Sequence, residues 1–121
     1  MDETSPYKKD NEVLNLAFQF ALGIIIYTGK LEALRRFNMA NQLFKSGTSI
    51  HANIREAQNA ESKDDFIHKM KVAAKEAEET EGWLLLCKYS ASYPDIENLL
   101  IQLASIMRLL NKIISSSKRG G

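Results

Sequence analysis

Apolar side chains recur at intervals of three and four along most of the chain, in four separate series. The first runs Val13, Leu16/Ala17, Phe20, Ile24, Tyr27, Leu31 and Leu34, and the second Leu43, Gly47, Ile50, Ile54 and Ala57. The third runs Phe66, Met70, Ala73, Ala77, Thr80, Leu84, Cys87 and Ala91, and the fourth Ile96, Leu99/Leu100, Leu103, Met107, Leu110 and Ile114. This spacing lines side chains along one face of a helix. Sustained apolar–polar alternation, the mark of a strand, is absent, and proline occurs only at positions 6 and 94. Breaks fall between the series. The phase changes around Arg36-Phe37-Asn38, where Asn38 is expected to cap the second helix. Ser62-Lys63-Asp64-Asp65 has the Ser-x-x-acid form of a capping box. Tyr93-Pro94-Asp95 ends the third helix, because a residue before proline disfavours helical geometry. The pattern predicts helices over roughly 9–36, 38–60, 63–92 and 95–116, with a frayed tail. Short connections between long helices favour antiparallel neighbours. The expected fold is all-α, an antiparallel up-down-up-down four-helix bundle in a single domain over residues 1–121.

The first helix carries a second apolar face. With successive residues about 100° apart, Leu14, Phe18, Leu22 and Ile25 lie roughly 120–200° around the axis from Phe20. A helix apolar on both sides has to be covered on both sides, and one bundle covers only one. These four residues are therefore expected to form an oligomer interface. The second helix is rich in small residues, Ser46-Gly47-Thr48-Ser49 and Ala52. A mid-helix glycine costs about 1 kcal/mol against alanine, so Gly47 points to a close helix crossing. Beside it runs a polar stripe, Gln42, Ser46, Ser49, Asn53 and Glu56, which fits a hydrogen-bonded contact between helices or subunits.

Composition narrows the function by exclusion. Of 121 residues 45% are hydrophobic and 26% charged, an ordinary globular balance. Sixteen Lys+Arg against fifteen Asp+Glu leave a net charge of +1, so the chain as a whole is no strong attractor of nucleic acid. One cysteine, Cys87, excludes an internal disulfide and suits a reducing, cytoplasmic setting. Residues 1–6 are unlike a secretory signal. The apolar stretch 13–27 falls short of the ~20 residues a membrane span needs, so no membrane partner is expected.

Catalytic constellations are also missing. Asp65-x-x-His68 occurs once, whereas bundle di-metal sites use such a motif twice, with further glutamates. Ser46 and Ser49 lack a convincing base. Glu76, Glu78, Glu79 and Glu81 fan out around their helix, and no glycine-rich phosphate loop is present. The expectation is a protein that is not an enzyme and has no metal and no cofactor.

Two segments carry a family resemblance. Gln42-Leu43-Phe44-Lys45-Ser46-Gly47-Thr48-Ser49-Ile50-His51-Ala52-Asn53-Ile54-Arg55-Glu56-Ala57 closely resembles a segment of the four-helix-bundle proteins encoded in intervening sequences of bacterial 23S ribosomal RNA genes. Asp65-Phe66-Ile67 followed by Ala74-Lys75-Glu76-Ala77-Glu78-Glu79-Thr80-Glu81-Gly82-Trp83-Leu84 is similar to a second segment of the same family, one residue shorter at its start. The resemblance implies an antiparallel bundle assembled as a homo-oligomeric ring, a pentamer. It also implies kinship with the accessory variability protein of diversity-generating retroelements, which associates with nucleic acid and a reverse transcriptase. It supplies no catalytic residues. Phe44-Lys45 stands where many relatives have a basic pair, and Glu78 where an arginine is frequent; both departures lower the positive charge. On the nucleic-acid reading, Lys45, Arg55, Arg35, Arg36, Lys8 and Lys9 would supply phosphate contacts, with structured RNA the expected partner. The alternative is a structural oligomer that scaffolds a protein partner, consistent with the near-zero net charge.

Overall fold

The computed structural model describes Pro6 and residues 11–120. The described residues form four helices: α1 (Glu12–Ala33), α2 (Phe37–Ala57), α3 (Lys63–Tyr89) and α4 (Glu97–Arg119). Each packs on its neighbours in the chain, and α4 closes back on α1, while α1 faces α3 and α2 faces α4 across the core. The bundle is therefore a four-sided ring of helices with one shared core. The Asn11 amide donates to Gln58 Oε1 at 2.8 Å, tying the start of α1 to the end of α2. Lys88 meets Glu97 at 3.0 Å, joining the end of α3 to the start of α4. Both ties fit antiparallel neighbours.

The helix ends follow local chemistry. Asn11 caps α1 by accepting from the Leu14 amide, and Ser62 caps α3 by accepting from the Asp65 amide at 3.0 Å. The Asp65 carboxylate in turn accepts from the Glu61 amide at 3.1 Å, close to the reciprocal arrangement the sequence suggests. Asn38 does not cap α2. The cap position is Arg36, with no side-chain bond, and Asn38 lies inside the first turn. The reason is how α1 ends. Arg35 takes a left-handed φ of 62°, its amide donates to Glu32 O at 2.9 Å and the Arg36 amide donates to Leu31 O at 2.8 Å. This pair of bonds is a Schellman stop, and it turns the chain so tightly that α2 starts at Phe37. The tail is more ordered than a frayed end, since α4 continues to Arg119.

Every helix contributes to the core. Phe20, Ile24, Leu31, Leu43, Ile50, Ile54, Met70, Leu84, Leu103, Ile106 and Leu110 are fully buried. Each such side chain contributes roughly 1.5–3 kcal/mol by leaving water. By length and composition α1 and α4 are both long and apolar enough to cross a membrane, which corrects the expectation that the first apolar stretch is too short. Much of the apolar surface of α1 is used against the core instead, with 44% of its most apolar window buried. Leu14 belongs to this core, 4% exposed, and not to an outer face. It sits where the Asn11–Gln58 tie draws α2 against α1.

Candidate functional site

The seams between helices are closed by small and polar residues. A Cβ added to Gly47 would lie 2.8 Å from Ile24 Cγ1 and 3.0 Å from its Cγ2, so α1 and α2 cross at a distance only glycine permits. The expected close crossing is there. On the other flank of α2, Ser46 is buried and its Oγ lies 2.9 Å from Thr80 Oγ1 of α3. The Thr80 hydroxyl also donates to Glu76 O at 2.7 Å, which leaves the Ser46 hydroxyl to donate to Thr80. Asn53 donates to Ser49 O at 2.9 Å. The polar stripe thus includes a hydrogen-bonded helix contact within the subunit.

Tyr27 closes the third seam. Its hydroxyl donates to Pro94 O at 2.9 Å and lies in hydrogen-bond contact with the Cys87 thiol. Burial pushes both groups' pKa up, so both stay neutral. Asp65 is held by Glu61 and by Lys69 at 3.2 Å, and its pKa is lowered first by the Glu61 backbone bond and then by Lys69. Among the described residues no group of three or more His, Cys, Asp or Glu could hold a metal ion.

The outer surfaces differ from the seams. Phe18 is half-buried against the His51 ring of α2, 5.6 Å between centroids. Leu22 and Ile25 are exposed, Ile25 by 47%, and Ile26 and Phe44 are exposed beside them. Ile25, Thr28, Gly29, Asn41 and Phe44 line an open groove between α1 and α2. Three of the four expected interface residues therefore share this face, and Phe44 and Gly29 extend it.

A second apolar face was not expected. Leu85, Leu86, Tyr89 (81% exposed) and Ile101 (65% exposed) lie along α3 and α4. Ile101 stands one turn beyond Glu97, whose partner Lys88 adjoins Tyr89. Because the backbone of α1 runs beside those of α2 and α4 and diagonally across from α3, the α1–α2 and α3–α4 seams lie on opposite sides of the bundle. The two patches are also at similar height. Tyr27 reaches Pro94, and a Cβ on Gly23 would meet Leu99 at 3.1 Å, which places α1 around residue 25 level with the start of α4. The missed signal was Leu84-Leu85-Leu86. Three successive leucines cannot all face one core.

The candidate cations are dispersed. Lys45 and Arg55 are both exposed on α2, but about 80° apart around its axis, so they do not form one stripe. Arg35 lies 5.8 Å over the Phe37 ring. Arg36 stacks 5.0 Å over Tyr93 and its Nε is buried without a hydrogen-bond partner, which gives it a packing role. Lys8 and Lys9 fall outside the described residues.

Comparison with known proteins agrees with the geometry. No curated protein matches the chain. Among solved structures it is similar to a protein of unknown function from the S23 ribosomal protein family of Bacteroides thetaiotaomicron, at 39% identity and a TM-score of 0.79, over 84% of this chain and 97% of that one. The profile of the 23S rRNA-intervening sequence proteins matches residues 9–112. With most of its length matched in this way, the chain belongs to the 23S rRNA-intervening sequence protein family.

Proposed function

We propose that this chain is a non-catalytic subunit of a head-to-tail homo-oligomeric ring, five subunits in the family-like form, and that the ring binds structured RNA. The observation that carries the assembly is the pair of apolar faces on opposite sides of the bundle at one height, Ile25 with Phe44 and Leu86 with Ile101. Two different faces make a heterologous contact, and such contacts close into rings when the rotation permits. Each face also holds an exposed helical glycine, Gly29 or Gly82, with nothing within 4 Å of an added Cβ. Glycine there permits a neighbouring subunit's side chains to come close to the helix backbone. A ring repeats acids and bases alike, so cations clustered on one surface of the subunit become a repeated cationic surface of the assembly. The dispersal of Lys45, Arg55, Arg35 and Arg36 favours the second reading, a scaffold for a protein partner.

Light scattering tests the assembly. The wild type should have a mass several times the 13.7 kDa of one chain. Ile25→Glu and Leu86→Glu should each reduce it. Mixed together, the two variants should form dimers, because each keeps the face that the other lacks. A compact wild-type monomer sinks the proposal, and variants that fail to complement each other sink the head-to-tail arrangement. Fluorescence anisotropy with labelled RNA at low and physiological salt separates the RNA reading from the scaffold.

A further inference from the structure

The charge of this nearly neutral chain is not evenly spread. Within α4 the acid is Glu97 at the start, and Arg108, Lys112, Lys118 and Arg119 fill the second half. Arg108, Lys112 and Arg119 follow one another at i, i+4 and i+11, a spacing that keeps them on one stripe. Lys71 and Lys75, at i and i+4 in α3, lie beside that stripe. Lys75 and Asn111 line one shallow groove between the two helices. Lys71 and Lys118 bring their ammonium groups together across the seam, and that contact lowers the Lys71 pKa. The ion pairs among the described residues are Lys69–Asp65 and Lys88–Glu97, so none of these six cations has one. Six of the chain's sixteen bases thus gather here, and the described acids near them, Asp64, Glu76, Glu78 and Glu79, all belong to α3, while the second half of α4 carries none.

We infer that the half of the α3–α4 face formed by Lys71, Lys75, Arg108, Lys112, Lys118 and Arg119 is the surface that holds the phosphate backbone of a nucleic acid. This rests on the nucleic-acid part of the proposed function and moves its site away from Lys45 and Arg55. Like charges brought together with fewer carboxylates than cations are stabilised by an external polyanion. A second copy of the chain is a poor match, because at this height its α1–α2 face, the start of α1 and the end of α2, carries Glu12 and Glu56 together with the cation Arg55, too few acids for six cations. An acidic protein is also a poor occupant. Protein interfaces centre on large apolar anchors, and among the described residues no large exposed apolar side chain lies in this half of the face. What accompanies the cations is Asn111 and Ser105, whose Oγ accepts from Arg108 at 3.2 Å. Amide and hydroxyl groups of this kind are common phosphate partners. The stripe from Arg108 to Arg119 is about 16 Å long at 1.5 Å per residue, enough for several phosphates.

The experiment titrates the full-length protein with a fluorescein-labelled, mixed-sequence single-stranded RNA of twenty nucleotides, from 50 to 200 mM salt. A labelled poly-glutamate peptide of equal charge runs in parallel. The variants are Lys71→Gln/Lys75→Gln/Arg108→Gln/Lys112→Gln and Lys45→Gln/Arg55→Gln, both checked for unchanged helicity and oligomer mass. The first should weaken RNA binding at least tenfold and flatten the salt slope by about three, near 0.7 per lost phosphate contact. The second should change affinity less than threefold. Loss of binding in the second variant but not the first overturns the site and leaves RNA binding standing. No wild-type binding of RNA at 50 mM salt overturns the RNA reading itself. Preference for poly-glutamate overturns the nucleic acid in favour of an acidic protein.

Discussion

Gly47 and Gly82 both interrupt long helices, at a propensity cost of about 1 kcal/mol each against alanine, but their surroundings are opposite. At Gly47 the missing side chain is replaced by Ile24, which fills the space where a Cβ would stand. At Gly82 nothing lies within 4 Å. The first glycine is offset inside the chain by packing. The second has no such offset and lies among Leu85, Leu86 and Tyr89 on an apolar outer face. A glycine that only weakens its helix is informative, because a cost without an internal gain points to a contact outside the subunit.

Gly47→Leu should do the most damage. It forces a branched side chain into the buried Ile24 and should lower stability by about 1–3 kcal/mol or more; chemical denaturation that finds an unchanged midpoint would show that the seam is loose. Gly47→Ala divides the effects more finely. Helix propensity gains about 1 kcal/mol, but the new Cβ would lie 2.8 Å from Ile24 Cγ1, near the stiff root of a β-branched side chain. The clash should win, and a rise in thermal midpoint would mean that Ile24 yields easily. Thr80→Val removes the acceptor of the buried Ser46 hydroxyl and should cost about 1–2 kcal/mol, measured the same way.

Gly82→Ala sharpens the other side of the comparison. In an isolated subunit it should stabilise by about 0.5–1 kcal/mol, the propensity gain alone. In the assembled protein it should reduce the oligomer mass at a given concentration, read by sedimentation. A gain in stability with unchanged mass would return Gly82 to open solvent. Arg35→Gly should stabilise by a similar amount, because glycine adopts the left-handed φ of 62° without strain. Unchanged unfolding curves would show that the Arg35–Phe37 contact offsets the strain.

The smallest effect is set by His51. Burial, then Arg55, lowers its pKa below the ordinary histidine value. The unfolded chain therefore takes up the proton first. Stability should be full above about pH 6.5, the unfolded value, and should fall as pH drops from there towards the folded pKa. His51→Gln should flatten that slope; an equal slope in the variant would assign it to other groups.

The inner half of this structure was written in the heptad series. Phe20, Ile24, Ile50 and Leu84 are buried where their spacing places them, and Gly47 marks the crossing its cost implied. The outer half was less legible. Angular position alone put Leu14 outside, but it is buried beside the Asn11–Gln58 tie between α1 and α2. The paired faces depend on which helices adjoin, a fact of topology that no single helix carries. The same holds for the basic stripe. Lys71 and Lys118 are 47 positions apart in sequence and meet only when α3 and α4 run side by side.

Cys87 gives this fold a clock. It is 1% exposed, and burial raises its thiol pKa, so the reactive thiolate is scarce and unreachable while the bundle is closed. A thiol reagent therefore modifies it only when α1, α3 and the 90–96 connection part company. The rate of labelling measures how often that opening occurs, in unmodified protein and without any introduced probe. If subunits hold each other shut, the rate will slow as protein concentration rises, since assembly draws the equilibrium towards the closed form. The lone cysteine, inert chemically, reports from inside one subunit whether another is bound outside it.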